Sequence, residues 1–419
     1  MSAEIQRDSA VLGAVVTGAS YRGLAVVRGL GRRKVPVHLV CTDDHSLACE
    51  SSYVTEVSQW PVSAAPKTAT TDMEERHSER PNTDRLDTER LEHLLAIGRR
   101  ADRAGWVLIP THDDEAHFIA RHHAELSKVF TLTTSTLDEF LLANDKRRLH
   151  DIADETEVDR PWMITPGSLT AVESFDGDFP VVIKPAFKKA ANPLTNDKAW
   201  LATDQADLEE KFGVAMSYEP ADALMLQEWV PGGGDQQFSV AVLARAGKIL
   251  TSVHARRTRQ WPADFGRAST FVETIAPDDE RALAAERLIE RLNFTGIAEL
   301  EFKQTVDGRS LLLDVNTRAW GWISLCSDAG VDFPWLLFQL AAGREIPVVA
   351  ARPGVRWVRL ATDAASTVKS IRSLGALSAW LRSLRAPISL AVFDRRDVRP
   401  ALVSPIKTAT VMFNRRRNG

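Results

Sequence analysis

Two apolar-rich runs in the second half of the chain predict a β-hairpin. Residues 296–302 form the first run and residues 311–318 form the second. The short connection between them contains Asp307 and Gly308 in sequence, and Asp-Gly is a common turn signal between antiparallel strands. The pattern therefore predicts two paired strands.

Polar side chains are predicted to share one face of this hairpin. Side chains alternate along a strand, so Asp314, Asn316 and Arg318 fall on one side, and Glu301 can join them from the partner strand. Burying such carboxylates without a cation costs several kcal/mol each, which favours a hard metal ion. Mg²⁺ fits because it takes few protein oxygens and completes its shell with water and phosphate. The alternative is an amphipathic hairpin with a solvated polar face.

The first part of the chain has the pattern of a βαβ unit. Residues 11–16, 36–40 and 53–57 are predicted strands, and a glycine-containing turn with Gly18 and Gly23 leads from the first strand into a helix. These glycines do not form the GxGxxG pattern. The turn either binds a dinucleotide, binds part of a substrate, or serves only as a scaffold.

A change in composition follows the third strand. Residues 66–90 are rich in Thr, Asp, Glu, Arg and Pro, which predicts a solvated, mobile insertion. A helix at residues 91–104 and a buried strand at residues 106–110 come next. His112 and Asp113, which follow that strand, either contact a substrate or cap a helix.

Lysines stand at two informative positions in the middle of the chain. Lys146 lies on a predicted helix, residues 137–152, and Lys184 ends an apolar strand, residues 179–185. A lysine on a strand beside apolar neighbours usually needs an anion. Another strand is predicted at residues 223–230.

The next predicted hairpin leads into a basic stretch. Its strands are residues 238–244 and 248–253, and residues 254–262 contain three closely spaced arginines. Three arginines are too many for a core strand, so this stretch is predicted to meet phosphate or to face water. A helix at residues 279–293 then precedes the acidic hairpin.

The remaining pattern predicts an α+β extension. Trp320 and Trp322, which follow the acidic hairpin, either line an acceptor pocket or belong to the core. The last predicted helices and strands are residues 330–343, 355–360, 364–384 and 388–393.

Length and composition narrow the class of protein. At 419 residues the chain is predicted to form two to four domains, and 44% hydrophobic and 26% charged residues are typical of globular proteins. The net charge of −4 gives no electrostatic footprint for nucleic acid. Three cysteines make neither a disulfide framework nor a metal-ligand spacing, and no apolar run reaches the roughly 18 residues of a membrane span. These features predict a cytoplasmic protein without nucleic-acid or membrane partners.

The order of these motifs resembles the ATP-grasp superfamily, and within it the carboxylate-amine ligases. The resemblance covers residues 137–346 and rests on Lys146, Lys184, the hinge at residues 227–230, Asp235 and the acidic hairpin. It implies an α/β fold in which two α+β lobes clasp ATP, after a Rossmann-like domain and before a small C-terminal α+β extension. The implied domains are residues 1–135, 136–230, 231–350 and 351–419.

The resemblance also implies a nucleotide site. Two lysines hold the phosphates from the smaller lobe, the hinge holds adenine, and an aspartate lies at the ribose. A third lysine belongs to the lid. The implied ATP-binding residues are Lys146, Lys184, Lys198, Gln227, Glu228, Trp229, Val230 and Asp235.

Metal and reaction residues follow from the same resemblance. Glu301, Asp314 and Asn316 bind one or two Mg²⁺ ions, with Mn²⁺ as an alternative, that bridge the β and γ phosphates. Arg318 contacts the reacting carboxylate or the transferred phosphoryl group, and Arg256 is chosen from the basic stretch for a second such contact.

Two features depart from the family pattern. The lid after Lys184 lacks a glycine-rich phosphate loop, so Lys188, Lys189 or Lys198 covers the phosphates instead. Asp314 stands where glutamate is commoner, and its shorter side chain requires a closer approach of the strand to the metal.

The function implied is ATP-dependent joining of a small carboxylate to an amine through an acyl phosphate, with release of ADP and phosphate. Phosphoryl transfer needs positioning and charge neutralisation more than covalent work by side chains, which suits this set of residues. The alternatives are another acyl-phosphate-forming enzyme such as a carboxylase, a nucleotide-binding regulatory protein, and a nicotinamide-dependent oxidoreductase built on the first domain. A homodimer is left open.

Overall fold

The computed structural model describes most of the chain, apart from short segments and the two ends. Within the described part of the chain, three sheets of five, four and seven strands form the framework. The described residues are 12–41, 47–62, 79–187, 192–261, 268–370, 374–385 and 387–404.

The strands are numbered in chain order. They are β1 (Ala14–Thr17), β2 (Val37–Cys41), β3 (Glu56–Gln59), β4 (Val107–Pro110), β5 (Thr131–Leu132), β6 (Met163–Ile164), β7 (Val181–Pro185), β8 (Trp200–Ala202), β9 (Leu224–Glu228), β10 (Gln237–Arg245), β11 (Lys248–Trp261), β12 (Ala268–Thr274), β13 (Gly296–Gln304), β14 (Ser310–Asn316), β15 (Arg356–Val358) and β16 (Ile388–Leu390).

The helices are numbered in the same way, and within the described ranges none is long and apolar enough to cross a membrane. They are α1 (Tyr21–Gly31), α2 (Glu79–Gly98), α3 (Asp113–Arg121), α4 (His123–Leu126), α5 (Leu137–Asn144), α6 (Lys146–Glu155), α7 (Leu169–Glu173), α8 (Pro193–Asn196), α9 (Gln205–Met216), α10 (Asp279–Arg291), α11 (Ile323–Ala329), α12 (Phe333–Ala341), α13 (Leu360–Ser370) and α14 (Leu374–Ser383).

The chain divides into two compact units. Unit 1 contains the N-terminal sheet together with two segments from later in the chain, whereas unit 2 contains the other two sheets. Unit 1 comprises Met1–Leu137, Asp332–Ile346 and Val392–Gly419, and unit 2 comprises Asp138–Val331 and Pro347–Ala391.

Unit 1 is built on a parallel sheet with strand order β3-β2-β1-β4-β5. Every residue of β1, β2 and β4 is buried, as expected for strands covered on both faces. The predicted βαβ unit is confirmed. Gly18 has φ of 89°, and an added Cβ there would lie 2.3 Å from Thr111 Oγ1, so the turn after β1 requires glycine.

The predicted mobile insertion is wrong in its second half. Residues 63–78 lie outside the described residues, but α2 begins at Glu79 and continues into the predicted helix. The polar residues belong to the first half of α2, where the exposed Arg85 and Glu89 form an i,i+4 ion pair. After residue 90 the helix buries apolar side chains, including Leu94 and Leu95.

The predicted helix at residues 137–152 is divided. Asp145 separates α5 from α6, and its carboxylate accepts a hydrogen bond from the backbone N–H of Arg147 at 3.0 Å. An aspartate in this N-cap role begins a new helix instead of continuing the old one. Lys146 is consequently the first residue of α6.

Unit 2 contains a four-stranded sheet, β6-β9-β7-β8, and a seven-stranded sheet, β14-β13-β10-β11-β12-β15-β16. β11 runs through the basic stretch, so the prediction that the strand ends before the arginines is wrong. Each of two arginines meets an acid: Arg257 lies near Glu301, and Arg259 binds Asp363 at 2.7 Å. Paired charges allow the strand to continue.

The C-terminal elements also differ from the predictions. The helix predicted at residues 330–343 forms as α12, with shorter bounds. It follows Gly330, the left-handed C-cap of α11, which has φ of 112°. α12 belongs to unit 1, where it packs against α1. The described residues of the helix predicted at residues 364–384 belong to α13 and α14, while β15 and β16 belong to the seven-stranded sheet.

Asp397 provides a test of how the returning C-terminal segment stabilises unit 1. Its buried carboxylate accepts hydrogen bonds from Arg28 Nε at 2.9 Å and from Ser51 Oγ at 2.7 Å. Replacing Asp397 with alanine removes the carboxylate that binds buried Arg28, and we expect unit 1 to lose about 3–5 kcal/mol of stability. Urea denaturation measures the loss.

The matched control is Arg399→Ala. Arg399 forms an exposed ion pair with Glu50, and such pairs contribute little to stability. Equal destabilisation by the two substitutions would contradict the assigned role of Asp397.

Candidate functional site

The acidic hairpin forms as predicted. β13 and β14 are antiparallel, Glu301 lies directly opposite Asp314, and Glu299 lies directly opposite Asn316. The Asn316 amide donates from Nδ2 to Glu301 Oε1 at 2.9 Å. Among the described residues, no group of three or more His, Cys, Asp and Glu side chains could hold a metal. The hairpin brings together two carboxylates, Glu301 and Asp314, and the amide of Asn316.

Three cationic side chains surround this group. Lys146 Nζ lies 3.0 Å from Asp314 Oδ1, and Arg257 Nη2 lies 3.5 Å from Glu301 Oε2. Arg318 donates from Nη2 to Asn316 Oδ1 at 2.8 Å. The positive charges of Lys146 and Arg257 therefore lie beside the negative charges of Asp314 and Glu301.

Glu301 remains an acid of low pKa in this setting. Burial alone would raise its pKa, but the charges of Arg257 and Lys198 outweigh burial and hold the pKa below its usual range. The hydrogen bond from Asn316 acts in the same direction. Glu301 is thus ionised at neutral pH.

Glu299 is a second, deeper carboxyl on the same face of β13. Its side chain is buried and accepts hydrogen bonds from Ser239 Oγ at 3.0 Å and Trp322 Nε1 at 2.7 Å on one oxygen. The other oxygen accepts from Asn316 Nδ2 at 3.3 Å. Burial, followed by the nearby charge of Glu301, raises the pKa of Glu299.

Lys184 lies at the end of β7, where the sequence predicts an anion-binding lysine. Burial and, to a smaller extent, the charge of Lys146 lower its pKa to about 7, while Asp314 opposes the shift. An ammonium group in this position is poorly solvated, and an anion would restore its charge.

The hinge residues lie on and just after β9. Gln227 is buried, and its Oε1 has no hydrogen-bond partner in the described part of the structure. One carboxylate oxygen of Glu228 accepts a hydrogen bond from the backbone N–H of Trp162 at 3.2 Å, so this oxygen already has a protein donor. Val230 is buried and Trp229 is half-buried.

Lys303 joins this region to the large sheet. Its Nζ donates to the carbonyl oxygen of Gly232 at 2.8 Å and lies 5.0 Å from the centre of the Trp229 ring. Burial and the charge of Arg257 lower its pKa to about 8, and the exposed Asp235 opposes the shift.

The lid is described only in part. Lys188 and Lys189 lie outside the described residues, so neither alternative gains structural support. Lys198 follows α8 with φ of 69° and an exposed side chain. Its charge still contributes to the low pKa of Glu301.

Arg256 is not brought to the acidic group. It pairs in register with Phe238, and Phe238 pairs with Phe302, so Arg256 lies on the face opposite Glu301. Arg257 lies on the acidic face. Because the predicted strand stopped at Val253, the sequence offered no register from which to assign a face to either arginine.

Other contributors were missed for related reasons. Glu299 and Lys303 stand two residues before and after Glu301, so strand alternation alone could have placed them on its face. Trp320 and Trp322 are both buried, which favours the core alternative over an acceptor pocket. His112 precedes α3 as its N-cap, in agreement with the capping alternative.

Known proteins share this architecture. A family described as "ATP-grasp in the biosynthetic pathway with Ter operon" matches residues 221–362, which include the hinge and the acidic hairpin. No curated protein sequence matches the chain.

The solved structures of similar fold cover most of the chain at low identity. L-amino acid ligase from Bacillus licheniformis is 13% identical, with a TM-score of 0.59, over 82% of this chain and 77% of the ligase. N5-carboxyaminoimidazole synthetase from Staphylococcus aureus is 12% identical, with a TM-score of 0.56, over 82% and 80% of the two chains.

A third similar structure contains nucleotide. The biotin carboxylase domain of 2-oxoglutarate carboxylase from Hydrogenobacter thermophilus, solved with MgADP and bicarbonate, is 13% identical to this chain. Its TM-score is 0.60, over 82% of this chain and 73% of the other. The chain has an ATP-grasp fold. The ATP-grasp fold implied by the order of its motifs is confirmed.

The lowered pKa of Lys184 in this ATP-grasp fold can be tested directly. Trace labelling with acetic anhydride across a pH series, followed by mass spectrometry, should give a midpoint near pH 7 for the Lys184 amine. Asp314→Asn should move the midpoint lower because the carboxylate that favours the ammonium is gone. Lys184→Arg controls for peptide assignment, and a midpoint near the reference value of about 10.4 would contradict the assignment.

Proposed function

We propose that this protein is an ATP-dependent ligase that joins a small carboxylate to an amine through an acyl phosphate. The observation that carries the proposal is the hairpin of Glu301, Asp314 and Asn316 facing Lys146 and other cations in an ATP-grasp fold. Such a site suits phosphoryl transfer, in which charge neutralisation and positioning dominate.

The nucleotide occupies the site in the orientation typical of the fold. Lys146 and Lys184 bind phosphate oxygens. The Oε1 of buried Gln227, which has no hydrogen-bond partner among the described residues, is an available acceptor for the base. Binding of the phosphates releases Lys146 from Asp314, to which it is hydrogen-bonded. Asp235 contacts the ribose, and Lys198 approaches the phosphates from the lid.

The oxygen ligands fit Mg²⁺. Glu301 is held ionised, Asp314 faces it across the hairpin, and Asn316 contributes an amide oxygen. When bound, Mg²⁺ would neutralise phosphate charge. This set is small, as expected for an ion that keeps water and phosphate in its shell.

The reaction has two bond-forming steps. A substrate carboxylate oxygen bonds to the γ-phosphorus as the bond to the β–γ bridging oxygen breaks, and ADP leaves with the electron pair. The amine nitrogen then bonds to the acyl carbon, phosphate departs, and the nitrogen loses a proton to solvent. Arg257 and Arg318 stabilise the negative charge on the transferred group because both guanidinium groups already meet the ligand oxygens.

Product analysis tests the reaction class. Wild type and Asp314→Ala are incubated with Mg²⁺-ATP and pools of amino acids, other small carboxylates, or bicarbonate. We expect pool-dependent ADP and phosphate from wild type, and a rate lower by about 10²–10³ in the variant because a charge-positioning group is lost.

The products separate the alternatives. A bicarbonate-dependent reaction would identify a carboxylating enzyme, and AMP with pyrophosphate would mean adenylation and overturn the acyl-phosphate mechanism. Tight ATP binding without turnover in any pool would favour a regulatory protein.

Adjacent arginines provide a matched pair of variants. Arg257→Met removes the guanidinium 3.5 Å from Glu301, and we expect kcat to fall by about 10²–10³. Arg256→Met changes the opposite face of the same strand, so its effect on kcat should remain below about tenfold. A larger loss from Arg256→Met than from Arg257→Met would reverse the assignment.

A further inference from the structure

Asn316 has an amide whose orientation is dictated by its neighbours. Two carboxylates, Glu299 and Glu301, lie on one side and can only accept when ionised, at 3.3 and 2.9 Å from Nδ2. Arg318 lies on the other side and can only donate, at 2.8 Å from Oδ1. Reversing the amide would place donor against donor and acceptor against acceptor.

Glu299 is itself fixed on its far side. Its Oε1 accepts from Trp322 Nε1 at 2.7 Å and from Ser239 Oγ at 3.0 Å, so the group cannot turn without losing these bonds. The remaining oxygen is left facing Asn316. Glu299 is buried, and solvent therefore offers little replacement for a lost partner.

We propose that Glu299 is a positioning residue, which holds the Asn316 amide so that Oδ1 is presented to a divalent cation. The inference rests on the proposed metal site at Glu301, Asp314 and Asn316. Glu299 itself is not a ligand in this arrangement, since both of its oxygens are occupied by protein donors. Groups that orient metal ligands in this way typically change metal affinity when altered.

Glu299→Gln tests the hydrogen bond while preserving size. The glutamine oxygen is required by Trp322 and Ser239, so its NH₂ group faces the NH₂ group of Asn316. Binding of Mn²⁺ in the presence of ADP, followed by electron paramagnetic resonance, reports on the site without turnover. We expect Mn²⁺ affinity to fall about 10-fold or more.

Asn316→Asp completes a double-mutant cycle. In the double variant, the amide introduced by Glu299→Gln can donate to the carboxylate introduced by Asn316→Asp, and the net charge equals that of wild type. The loss caused by Glu299→Gln should shrink to about 3-fold or less when residue 316 is aspartate, because the two sites act through one hydrogen bond. An equal loss in both backgrounds would overturn the inference, since a merely structural role of Glu299 predicts no such coupling.

Two further variants make the experiment decisive. Glu273→Gln is the matched control, because Glu273 lies on the opposite face of the same sheet and pairs with Arg356 at 3.4 Å. It should leave Mn²⁺ affinity unchanged. Should Glu299→Gln fail to fold by circular dichroism, Trp322→Phe removes one anchor of Glu299 and should weaken Mn²⁺ binding; unchanged affinity would overturn the inference. Absence of Mn²⁺ binding by wild type would instead overturn the metal site itself.

Discussion

The balance between acids and cations on one face of the seven-stranded sheet is the constraint on which the candidate site depends. Glu299 and Glu301 lie two residues apart on one strand, where two ionised carboxyls repel each other. Arg257 and Arg318 contact the same group, and hydrogen bonds from Trp322 and Ser239 occupy the deeper carboxyl. The fold therefore places two similar side chains in different settings: Glu301 lies beside Arg257 with a lowered pKa, and Glu299 is held within the protein with a raised pKa.

The same balance explains why the sheet tolerates so many charges. A strand with arginines at positions 256, 257 and 259 would be unfavourable without partners. Side chains alternate between the two faces of β11, and the pairing register with β12 shifts between Arg257 and Arg259. The arginines therefore meet different neighbours, among them Glu301 and Asp363. The ion pairs on the two faces serve different ends: the Glu301 pair belongs to the site, whereas the Asp363 pair helps to join α13 to the sheet.

Much of the fold could be predicted because periodicity and turn chemistry are local properties. The first βαβ unit and the acidic hairpin agree with alternation and with Asp-Gly at the turn. Predictions failed where a distant partner decides the outcome. A strand rich in arginine continues because its acids come from residues 301 and 363, and Asp145 divides a helix that apolar periodicity alone would continue.

The site shows the same limit. Residues on one strand can be assigned to a face once a single neighbour is known, which is how Glu301, Asp314 and Asn316 could be grouped from the sequence. Arg257 could not be chosen over Arg256, because the face of β11 follows from its pairing with β10. Specific hydrogen bonds, such as that from Trp322 to Glu299, depend on tertiary packing that no short pattern encodes.

Unit 1 has a consequence for how the protein acquires its structure during synthesis. Its parallel sheet is complete within the first third of the chain, yet α12 and Asp397 come from segments that follow residue 331. Arg28 is synthesised early, whereas its buried partner Asp397 is synthesised only near the end of translation. The first unit can therefore begin to fold first but finish last, and during that interval its unpaired groups are open to chaperones and proteases.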